Sequence, residues 1–528
     1  MNKVQLLRSA DRLEARFWPA VSVITLVFVL TQLLFLWRPS VNLEYVFVEA
    51  AQSLAGQESI ERLDYYWHYQ ANPLGYSLIA SLLLRLLPMF EPIAAVRLVS
   101  VMGGVLLLCS AAELLRYLPS VSRRFCIWTL LLLAFHPMIW LYTNNATADV
   151  LPAGLVLASL ACCLRGRANW LWHLPGVLLF GVSCIVKFNC ALMSPGLVFI
   201  LLVTAKHEPD RRWKHWLALT CYALFSMGCL AIYFVWINRQ FGIVILPEKY
   251  KSVHSFDTPW QQRVMAMMLY LDFLVLFGGP LILFGVKSAL ATHRRQQAYQ
   301  LAGLLIVFVL AWLGFSGMSR MGEMDSGGLL ALLGSNLFSI GLSVGVILLL
   351  LMVYCVNKSI KSAERGYVLM MLATALPYLL ISSMSRPAQR YLILILPLFL
   401  IWLSWMVCED KRILSRLLLW SCLGMFLVLT SVGVLYLQGQ GTAAQRMGRW
   451  IDQHQLTNQT DPGILAAHIG SHFPIQNKAK QPYYIMMTPI SQDMDSNVSD
   501  SVEHRESVSV GPLVIWQYQL LKRADNQD

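Results

Sequence analysis

Four basic residues interrupt or border long apolar runs, where a charged side chain is costly and usually functional. They are Arg97 in IAAVRLVS, Lys187 in CIVKFNCALMSPG, and Arg386 and Arg390 in SSMSRPAQRYLILILP. A lysine in such a place could simply extend its ammonium group to the membrane surface. Arginine forks and lysine point charges also bind phosphate oxygens well. The alternative prediction is therefore an anion, such as a lipid phosphate, held at the membrane surface.

Three carboxylates lie near the same segments and could accept a proton or bind hydroxyl groups. Glu44 in VNLEYVFVEAAQSLAGQ directly follows the first apolar run, and Asp149 in YTNNATADVLP opens another one. Asp64 lies among aromatic side chains in RLDYYWHYQ. Each also has an ordinary explanation. Glu44 could be a solvated loop carboxylate, Asp149 a charge that complements a helix N-terminus, and Asp64 a partner of a tyrosine hydroxyl.

The composition defines the class of protein that must position these groups. Of the 528 residues, 57% are hydrophobic and only 13% are charged, and the mean hydropathy is +0.56. Apolar runs recur from Pro19 to Leu437, which excludes a soluble enzyme and indicates an all-α polytopic membrane protein. The net charge of +12 fits basic residues that anchor cytoplasmic loops. Because these residues are spread over many short loops, nucleic-acid binding is a poor explanation.

About thirteen transmembrane helices are predicted from hydropathy and helix breakers. They lie near 19–37, 93–116, 126–143, 149–165, 171–187, 191–205, 215–238, 263–287, 300–317, 333–355, 367–384, 391–407 and 415–437. Basic residues precede the first of them and no small-residue cleavage site follows it. It is therefore predicted to be a retained span and not a signal peptide.

A further apolar segment, 75–90, either crosses the membrane or lies on it. If it lies on the surface, every loop assigned to the cytoplasm carries at least two Lys or Arg residues. If it crosses, nearly all of these loops move outside. Ser77, Ser81 and Arg85 also fall four apart on one helical face, which suits an interfacial amphipathic helix. We therefore predict an interfacial helix within a long first external loop, 38–92, and a cytoplasmic N-terminus.

The tail after the last span is predicted to be a small α/β domain outside the membrane, 438–528, following a transmembrane domain, 1–437. AAQRMGRWIDQHQL has helical spacing, YYIMM and LVIWQYQLL have strand patterns, and SQDMDSNVSDSVEHRES is predicted as a polar loop. Neither the tail nor the first external loop contains cysteine, so no disulfide framework is indicated. A multi-pass protein of a bacterial inner membrane, with its C-terminus in the periplasm, fits these observations best.

The order of these segments resembles that of GT-C fold glycosyltransferases, the group that includes protein O-mannosyltransferases and lipid A aminoarabinose transferases. LEYVFVEAAQSLAGQ resembles the opening of their first external loop, with Leu43–Glu44 at the family's acidic pair. YQANPLGYSLIASLLLRL resembles the segment that leads into their interfacial helix, with Asn72–Pro73 where two prolines are usual.

Later segments extend the resemblance over most of residues 1–400. EPIAAVRLVSVMGGVLLL resembles the family's next span, and HPMIWLYTNNATADVLPAGLVLASLA resembles its second external loop. GVLLFGVSCIVKFNCALMSPGLVFIL is similar to its lysine-bearing hairpin, and RYLILILPLFL is similar to a late arginine–tyrosine span, here Arg390–Tyr391. An external C-terminal domain after about thirteen spans is similar to the aminoarabinose transferase branch.

The resemblance implies an inverting glycosyltransferase that uses a polyprenyl-phosphate sugar as donor. The sugar would move to a hydroxyl group of a lipid, glycan or protein on the periplasmic face. Glu44 is expected to be the single general base, and Lys187, Arg97, Arg386 and Arg390 are expected to stabilise the departing phosphate. The substrate-binding residues expected on this basis are Asp149, Lys187, Arg97, Arg386, Arg390, Tyr391, Asp64 and Asn72.

Two departures from the family pattern affect these expectations. Leu43 replaces the first member of the acidic pair, and Asn72 replaces a proline. A bridging divalent ion usually takes more than one carboxylate. No cofactor or metal site is therefore predicted, and a divalent cation is compatible with the sequence without being indicated by it.

Two other classes of membrane protein remain as alternatives. A transporter of polyprenyl-linked sugars or lipids would explain the spans and the basic groups, but transporters often carry internal repeats with broken helices, and no such repeat is evident. An O-antigen polymerase or ligase would place its large polar loop late between spans, whereas here the long loop comes first. Both rank below the transferase.

Overall fold

The computed structural model of the chain describes residues 3–41, 44–57, 74–118, 122–207, 212–241, 260–278, 281, 346, 362–383, 389–408, 413–461, 481–489, 501–510 and 513–523. Five residues that the sequence analysis singles out lie outside these ranges, namely Leu43, Asp64, Asn72, Pro73 and Arg386. The predicted span 300–317 and nearly all of 333–355 also lie outside them.

Helices make up most of the described chain, as the long apolar runs predict. They are α1 (Lys3–Leu33), α2 (Glu44–Ala55), α3 (Gly75–Leu86), α4 (Pro92–Arg116), α5 (Arg123–Ala134), α6 (Pro137–Thr143), α7 (Val150–Arg165), α8 (His173–Val186), α9 (Ser194–His207), α10 (Arg212–Phe241), α11 (Trp260–Gly278), α12 (Ser362–Ser382), α13 (Leu396–Cys408) and α14 (Ile413–Gln453). Short 3-10 helices cover Trp170–Trp172, Phe188–Met193, Gln389–Leu394 and Thr457–Gln459.

Several of these helices are apolar enough for a bilayer. Within the described ranges, 4 meet both the length and the hydropathy needed to cross one: Pro92–Arg116, Phe188–Lys206, Arg212–Gln240 and Leu419–Gln453. Shorter apolar helices lie at other predicted spans, for example Val150–Arg165 and Leu396–Trp405. The helical membrane class is consistent with these observations, whereas the count of about thirteen spans stays a prediction.

The predicted span 126–143 is two helices and not one. Helices α5 and α6 meet at an angle of 56° and together make a fifth candidate span. Pro137 is the first residue of α6, where its missing N–H costs no helical hydrogen bond. The side chain of His136 caps α6 by accepting a hydrogen bond from the backbone N–H of Met138 at 3.3 Å. The break thus follows from the His-Pro pair.

Helix α3 lies where the interfacial helix was predicted. Its 12 residues would extend about 18 Å, too short for a hydrocarbon core of about 30 Å. Ser77 is buried and donates to the carbonyl of Phe47 in α2 at 3.2 Å, so the polar stripe faces the protein. Leu82 and Leu86 are 59% and 75% exposed. An apolar face is therefore open, which suits a helix that lies on a bilayer.

Helices α4 and α7 cross at a contact made possible by glycine. A Cβ atom on Gly103 would lie 2.5 Å from the Cα of Leu151, and one on Gly154 would lie 2.6 Å from the carbonyl oxygen of Gly103. Small residues allow helix backbones in membranes to approach this closely. The start of α7, including Asp149 just before it, is therefore positioned by direct backbone contact with α4.

Gly103→Val is expected to lower the free energy of unfolding by about 1–3 kcal/mol, because its side chain would overlap the backbone of α7. Gly228→Val in α10 is the matched control, since a Cβ there meets no atom within 4 Å. Thermal unfolding of the two purified variants in detergent measures the difference. Equal stabilities of the two variants would contradict the tight crossing.

The C-terminal part contains a four-stranded sheet in the order β1-β2-β4-β3. The strands are β1 (Thr460–Asp461), β2 (Tyr483–Pro489), β3 (Ser501–Val510) and β4 (Leu513–Lys522). β1 is parallel to β2, and the other pairs are antiparallel. The predictions of strands at YYIMM and LVIWQYQLL are confirmed by β2 and β4.

The polar segment SQDMDSNVSDSVEHRES was predicted as a loop, and this is wrong for its second half. β3 begins at Ser501 and pairs with β4, with register shifts between Val502 and His504 and between Val508 and Ser509. The strand lies at the edge of the sheet and most of its residues are exposed, so polar side chains are tolerated there. Its pairing partner, and not its own hydrophobicity, makes it a strand.

Helix α14 extends from the apolar region to the face of this sheet. The predicted domain boundary at 437/438 falls inside the helix. Ala443, Ala444, Met447 and Ile451 of α14 form a buried cluster with Ile485, Val508, Tyr518 and Leu520 of the sheet. The helical spacing predicted for AAQRMGRWIDQHQL is confirmed. The last span and the tail are therefore connected by uninterrupted helix.

Candidate functional site

Glu44 is the first residue of α2 and is bound by Arg97 of α4 through two parallel hydrogen bonds. The Nε of Arg97 donates to Oε1 at 2.9 Å, and its Nη2 donates to Oε2 at 2.8 Å. The remaining N–H groups of Arg97 donate to the carbonyl oxygens of Leu36, Arg38 and Pro39. This bidentate geometry gives one of the strongest interactions between an arginine and a carboxylate.

A second arginine, Arg38, binds the same carboxylate from the end of the first apolar run. Its Nη1 lies 3.2 Å from Oε2 of Glu44, and its Nη2 lies 3.4 Å from Oε1. Arg38 also donates to the side-chain oxygens of Asn144 and Asn145, in the segment before α7. The sequence analysis did not identify Arg38, Asn144 or Asn145 as site residues. Arg38 is a basic residue at a predicted outer end, so the rule that identified Arg97 would also have identified it.

Two backbone amides complete the surroundings of Glu44. The N–H of Val41 donates to Oε2 at 2.9 Å, and the N–H of Ala146 donates to Oε1 at 2.8 Å. The side chain of Glu44 is 0% exposed. We call this arrangement of Glu44, Arg38 and Arg97 the carboxylate knot. It joins the first external loop to α4 and to the segment before α7.

The knot makes Glu44 strongly acidic. Burial is the largest single effect and by itself raises the pKa of Glu44. The charges of Arg38 and Arg97, with the hydrogen bonds from Arg97 and Ala146, together outweigh it and lower the pKa from 4.5 to about 2. Burial also lowers the pKa of Arg38 to about 10, although Glu44 opposes this. At neutral pH Glu44 and Arg38 are therefore both charged.

The predicted roles of Glu44 as general base and of Arg97 as a phosphate ligand are not favoured by this geometry. A base needs an oxygen that a hydroxyl group can approach to about 3 Å, and both oxygens of Glu44 are buried and already accept hydrogen bonds. Arg97 is likewise 0% exposed, and its donors are used on protein oxygens. The two roles stay predictions, and burial counts against both.

Asp149 and Lys187 form a separate ion pair with some access to solvent. The Nζ of Lys187 lies 2.7 Å from Oδ1 of Asp149, and the two side chains are 13% and 7% exposed. Asp149 is the residue before α7, and its carboxylate does not cap that helix. Lys187 directly follows α8 and has an extended conformation, with φ −151°. Both side chains thus belong to residues at helix ends.

Tyr391 and Arg390 lie beside this pair. The Nζ of Lys187 is 5.3 Å from the centre of the Tyr391 ring, and the Cζ of Arg390 is 5.8 Å from the same centre. These are cation–π distances. The 3-10 helix Gln389–Leu394 that carries both residues is held by Tyr378, whose hydroxyl donates to the carbonyl of Tyr391 at 2.7 Å. We call Asp149, Lys187, Arg390 and Tyr391 the cation cluster.

Short connections link the knot to the cluster. Ala146, which binds Glu44, lies three residues before Asp149, and the carbonyl of Thr147 accepts a hydrogen bond from Ser100 at 3.3 Å. Tyr76 of α3 bonds to the same Ser100 at 2.8 Å. Burial is the main cause of the raised pKa of the Tyr76 hydroxyl, and the charges of Glu44 and Asp149 raise it further. Tyr76 is therefore within electrostatic reach of both carboxylates.

The structure thus brings four of the predicted site residues together in the cluster and two, Glu44 and Arg97, in the knot. The predicted site residues Asp64, Asn72 and Arg386 lie outside the described ranges. Among the described residues, no group of three or more His, Cys, Asp or Glu side chains could hold a metal ion. Chemically, the cluster offers two cations for an anion and one carboxylate for a hydroxyl group.

No protein-family model and no curated protein matches this chain. Among solved structures it is similar to ArnT from Cupriavidus metallidurans bound to undecaprenyl phosphate, at 15% identity and a TM-score of 0.46, covering 97% of this chain and 99% of that chain. Similarity to the same protein in the apo state has a TM-score of 0.45 at 15% identity, over 95% and 97% of the two chains. The Archaeoglobus fulgidus oligosaccharyltransferase in complex with Zn and sulfate matches at 13% identity and a TM-score of 0.30, over 70% of this chain and 53% of that one.

Proposed function

We propose that this protein is a membrane glycosyltransferase that moves a sugar from a polyprenyl-phosphate donor to a hydroxyl group on the outer face of the membrane. The observation that carries the proposal is the cation cluster. It sets a carboxylate beside two cations at the predicted outer ends of several spans, where an anionic lipid headgroup and an external acceptor can meet. The acceptor class is a lipid, a glycan or a protein.

The donor phosphate binds between Lys187 and Arg390. Both are cations on the predicted outer side, against the usual distribution of basic residues, and both lie against the ring of Tyr391. Such fixed positive charges stabilise the negative charge that develops on a departing phosphate. Arg386, predicted from the sequence as a further phosphate ligand, lies outside the described residues. The polyprenyl chain remains in the bilayer.

Asp149 is the general base in this proposal, and Glu44 is a positioning residue. The acceptor oxygen attacks the anomeric carbon while the bond from that carbon to the phosphate oxygen breaks, and the electron pair of that bond leaves with the phosphate. The acceptor proton passes to Asp149, and the configuration inverts because attack is opposite the leaving group. Both oxygens of Glu44 already accept hydrogen bonds, whereas only Oδ1 of Asp149 does so among the described residues, and this supports the exchange of roles.

Lys187 controls when Asp149 becomes available. Among the described residues, the only hydrogen bond of the Asp149 carboxylate is with Lys187. A bound phosphate competes with Asp149 for the ammonium group, which leaves a carboxylate oxygen for the acceptor. Donor binding and base activation are thereby coupled. The step as written balances without a nucleotide.

The proposed orientation follows the distribution of basic residues. The protein is a multi-pass protein of a bacterial inner membrane with its N-terminus in the cytoplasm. The first external loop, the cation cluster and the C-terminal domain, 438–528, are in the periplasm. A transporter of polyprenyl-linked sugars is the alternative, because it would also bind lipid phosphate.

Lys187→Met is expected to weaken binding of undecaprenyl phosphate about tenfold or more, because it removes a charge-assisted bond worth about 1.5–3 kcal/mol. Lys206→Met is the matched control, since Lys206 is exposed at the other end of the same hairpin. Native mass spectrometry of the purified variants with undecaprenyl phosphate measures the affinity. Unchanged binding by Lys187→Met would contradict the proposal that the donor phosphate binds at the cation cluster.

The reaction itself is tested by mass spectrometry of lipids and surface glycans from cells that lack the gene and from cells that carry the parent or Asp149→Asn. A sugar mass that disappears both without the gene and with Asp149→Asn supports the transferase and identifies the sugar. A mass that disappears only without the gene supports the transporter or a base other than Asp149.

A further inference from the structure

Two glycines lie in the interior of α14, in the sequence LQGQGTAA. Gly439 and Gly441 stand where α14 passes from the apolar region to the sheet. A glycine inside a helix costs about 1 kcal/mol relative to alanine, so a pair of them in the middle of a long helix calls for a reason. Because they are two residues apart, they lie on nearly opposite faces of the helix.

Each glycine allows a different close contact. A Cβ atom on Gly439 would lie 2.3 Å from the carbonyl oxygen of Ser509 in β3. A Cβ atom on Gly441 would lie 2.7 Å from the Cβ of Pro39, 3.0 Å from the carbonyl oxygen of Ser40 and 3.1 Å from a methyl group of Val41. One face of α14 thus contacts the sheet, and the other contacts the start of the first external loop.

The segment 39–41 that Gly441 contacts is hydrogen-bonded to the carboxylate knot. The carbonyl of Pro39 accepts hydrogen bonds from Arg97 and Arg38, each at 3.1 Å. The N–H of Val41 donates to Glu44 at 2.9 Å. A displacement of this segment therefore changes the lengths of the bonds that hold both arginines and the carboxylate. Through Ala146 the same change reaches the segment that carries Asp149.

We propose that Gly441 is a positioning residue through which the C-terminal domain holds the first external loop and the carboxylate knot in place. The domain, seated on α14 through Gly439 and the buried cluster of Ala443, Met447 and Tyr518, presses the Gly441 face of the helix against Pro39. Its role is then to fix the geometry of the site rather than to carry a reaction of its own.

The test compares Gly441→Val with two matched variants of the same helix. Gly439→Val disturbs the contact of α14 with β3 and leaves the face towards Pro39 unchanged. Gly424→Val adds the same side chain where a Cβ meets no atom within 4 Å. The readout is hydrogen–deuterium exchange of peptides that contain the amides of Val41 and Ala146, both of which donate to Glu44.

Gly441→Val is expected to increase exchange at both amides about tenfold or more, and Gly424→Val is expected to leave it unchanged. Gly439→Val is expected to increase exchange in β3 and β4 and, because the domain is proposed to act through α14, to a smaller extent at Val41 and Ala146. If Gly441→Val is folded and the amides of Val41 and Ala146 exchange as in the parent, the positioning role is wrong. If Gly441→Val does not fold, Gly441→Ala, with its single methyl group, takes its place in the comparison.

Activity is measured separately, so that this result and the proposed function fail independently. If the parent protein transfers no sugar, the proposed function is wrong, while the exchange data still decide the role of Gly441. If transfer occurs, Gly441→Val is expected to lower it with little change in the affinity for undecaprenyl phosphate, because among the described residues Lys187 is hydrogen-bonded to Asp149 and not to the segment 39–41.

Discussion

Asp149→Asn is expected to lower the rate of sugar transfer by about a hundredfold or more, because it removes the general base of the proposed reaction. The affinity for undecaprenyl phosphate should stay the same or increase, since the substitution removes a negative charge next to Lys187. The combination of lost turnover and retained phosphate binding distinguishes a base from a residue that only holds the fold. Turnover with a radiolabelled or isotopically labelled donor, together with native mass spectrometry, measures both quantities.

Asp452→Asn is the matched control for this experiment, because Asp452 is an exposed carboxylate near the end of α14. It should leave transfer and phosphate binding unchanged. Transfer by Asp149→Asn within a few-fold of the parent, at equal expression, would eliminate Asp149 as the base. Loss of both transfer and phosphate binding would instead point to a role in forming the binding site.

Glu44→Gln is expected to destabilise the folded protein by about 3–5 kcal/mol, the usual cost of removing one partner from a buried ion pair. Arg38 and Arg97 would remain buried without the charge that balances them. Glu503→Gln, which changes an exposed carboxylate of β3, is the matched control and should change stability by less than about 0.5 kcal/mol. Thermal unfolding in detergent measures the difference. A variant too unstable to purify is scored by its abundance and protease sensitivity in membranes, next to Asp149→Asn.

The opposite outcome is equally informative. If Glu44→Gln is as stable as the parent and loses transfer selectively, Glu44 returns as the base that the sequence predicted.

The knot also predicts that the stability of the folded protein depends on pH. The pKa of Glu44 is lowered from 4.5 to about 2 in the folded protein, so its stabilising contribution is complete above about pH 4.5. That contribution is lost as the pH falls towards 2, and Glu44→Gln should lack this acid-dependent loss.

Much of the scaffold was predictable because it depends on local patterns. The short apolar run at 75–90 and the loop charges together predicted α3, and strand alternation predicted β2 and β4. Lys187 and Arg390 were identified because they are basic residues on the predicted outer side, where the positive-inside rule expects few. The structure places both beside the ring of Tyr391. These features depend on a few neighbouring residues or on simple counts along the chain.

The environment of Glu44 was not predictable in the same way. Its partners come from three separate parts of the sequence: Arg38, Arg97 and the backbone N–H of Ala146. An isolated acidic residue at the start of a loop looks the same whether it faces a cavity or is buried between two arginines. The pairing of Lys187 with Asp149, 38 residues apart, depends likewise on how α7 and α8 pack. Burial and pairing at such distances are properties of the packed chain.

The continuity of α14 makes the position of the C-terminal domain sensitive to the length of its last span. The helix has 41 residues and a length of about 62 Å, roughly twice the hydrocarbon thickness. It contains no flexible hinge between the apolar residues and the sheet. Deleting one residue upstream of Gly439 would rotate the rest of α14 and the sheet by about 100° about the helix axis. Gly441 would then no longer face Pro39. The number of residues in the last span therefore sets the rotation of the C-terminal domain about the axis of α14.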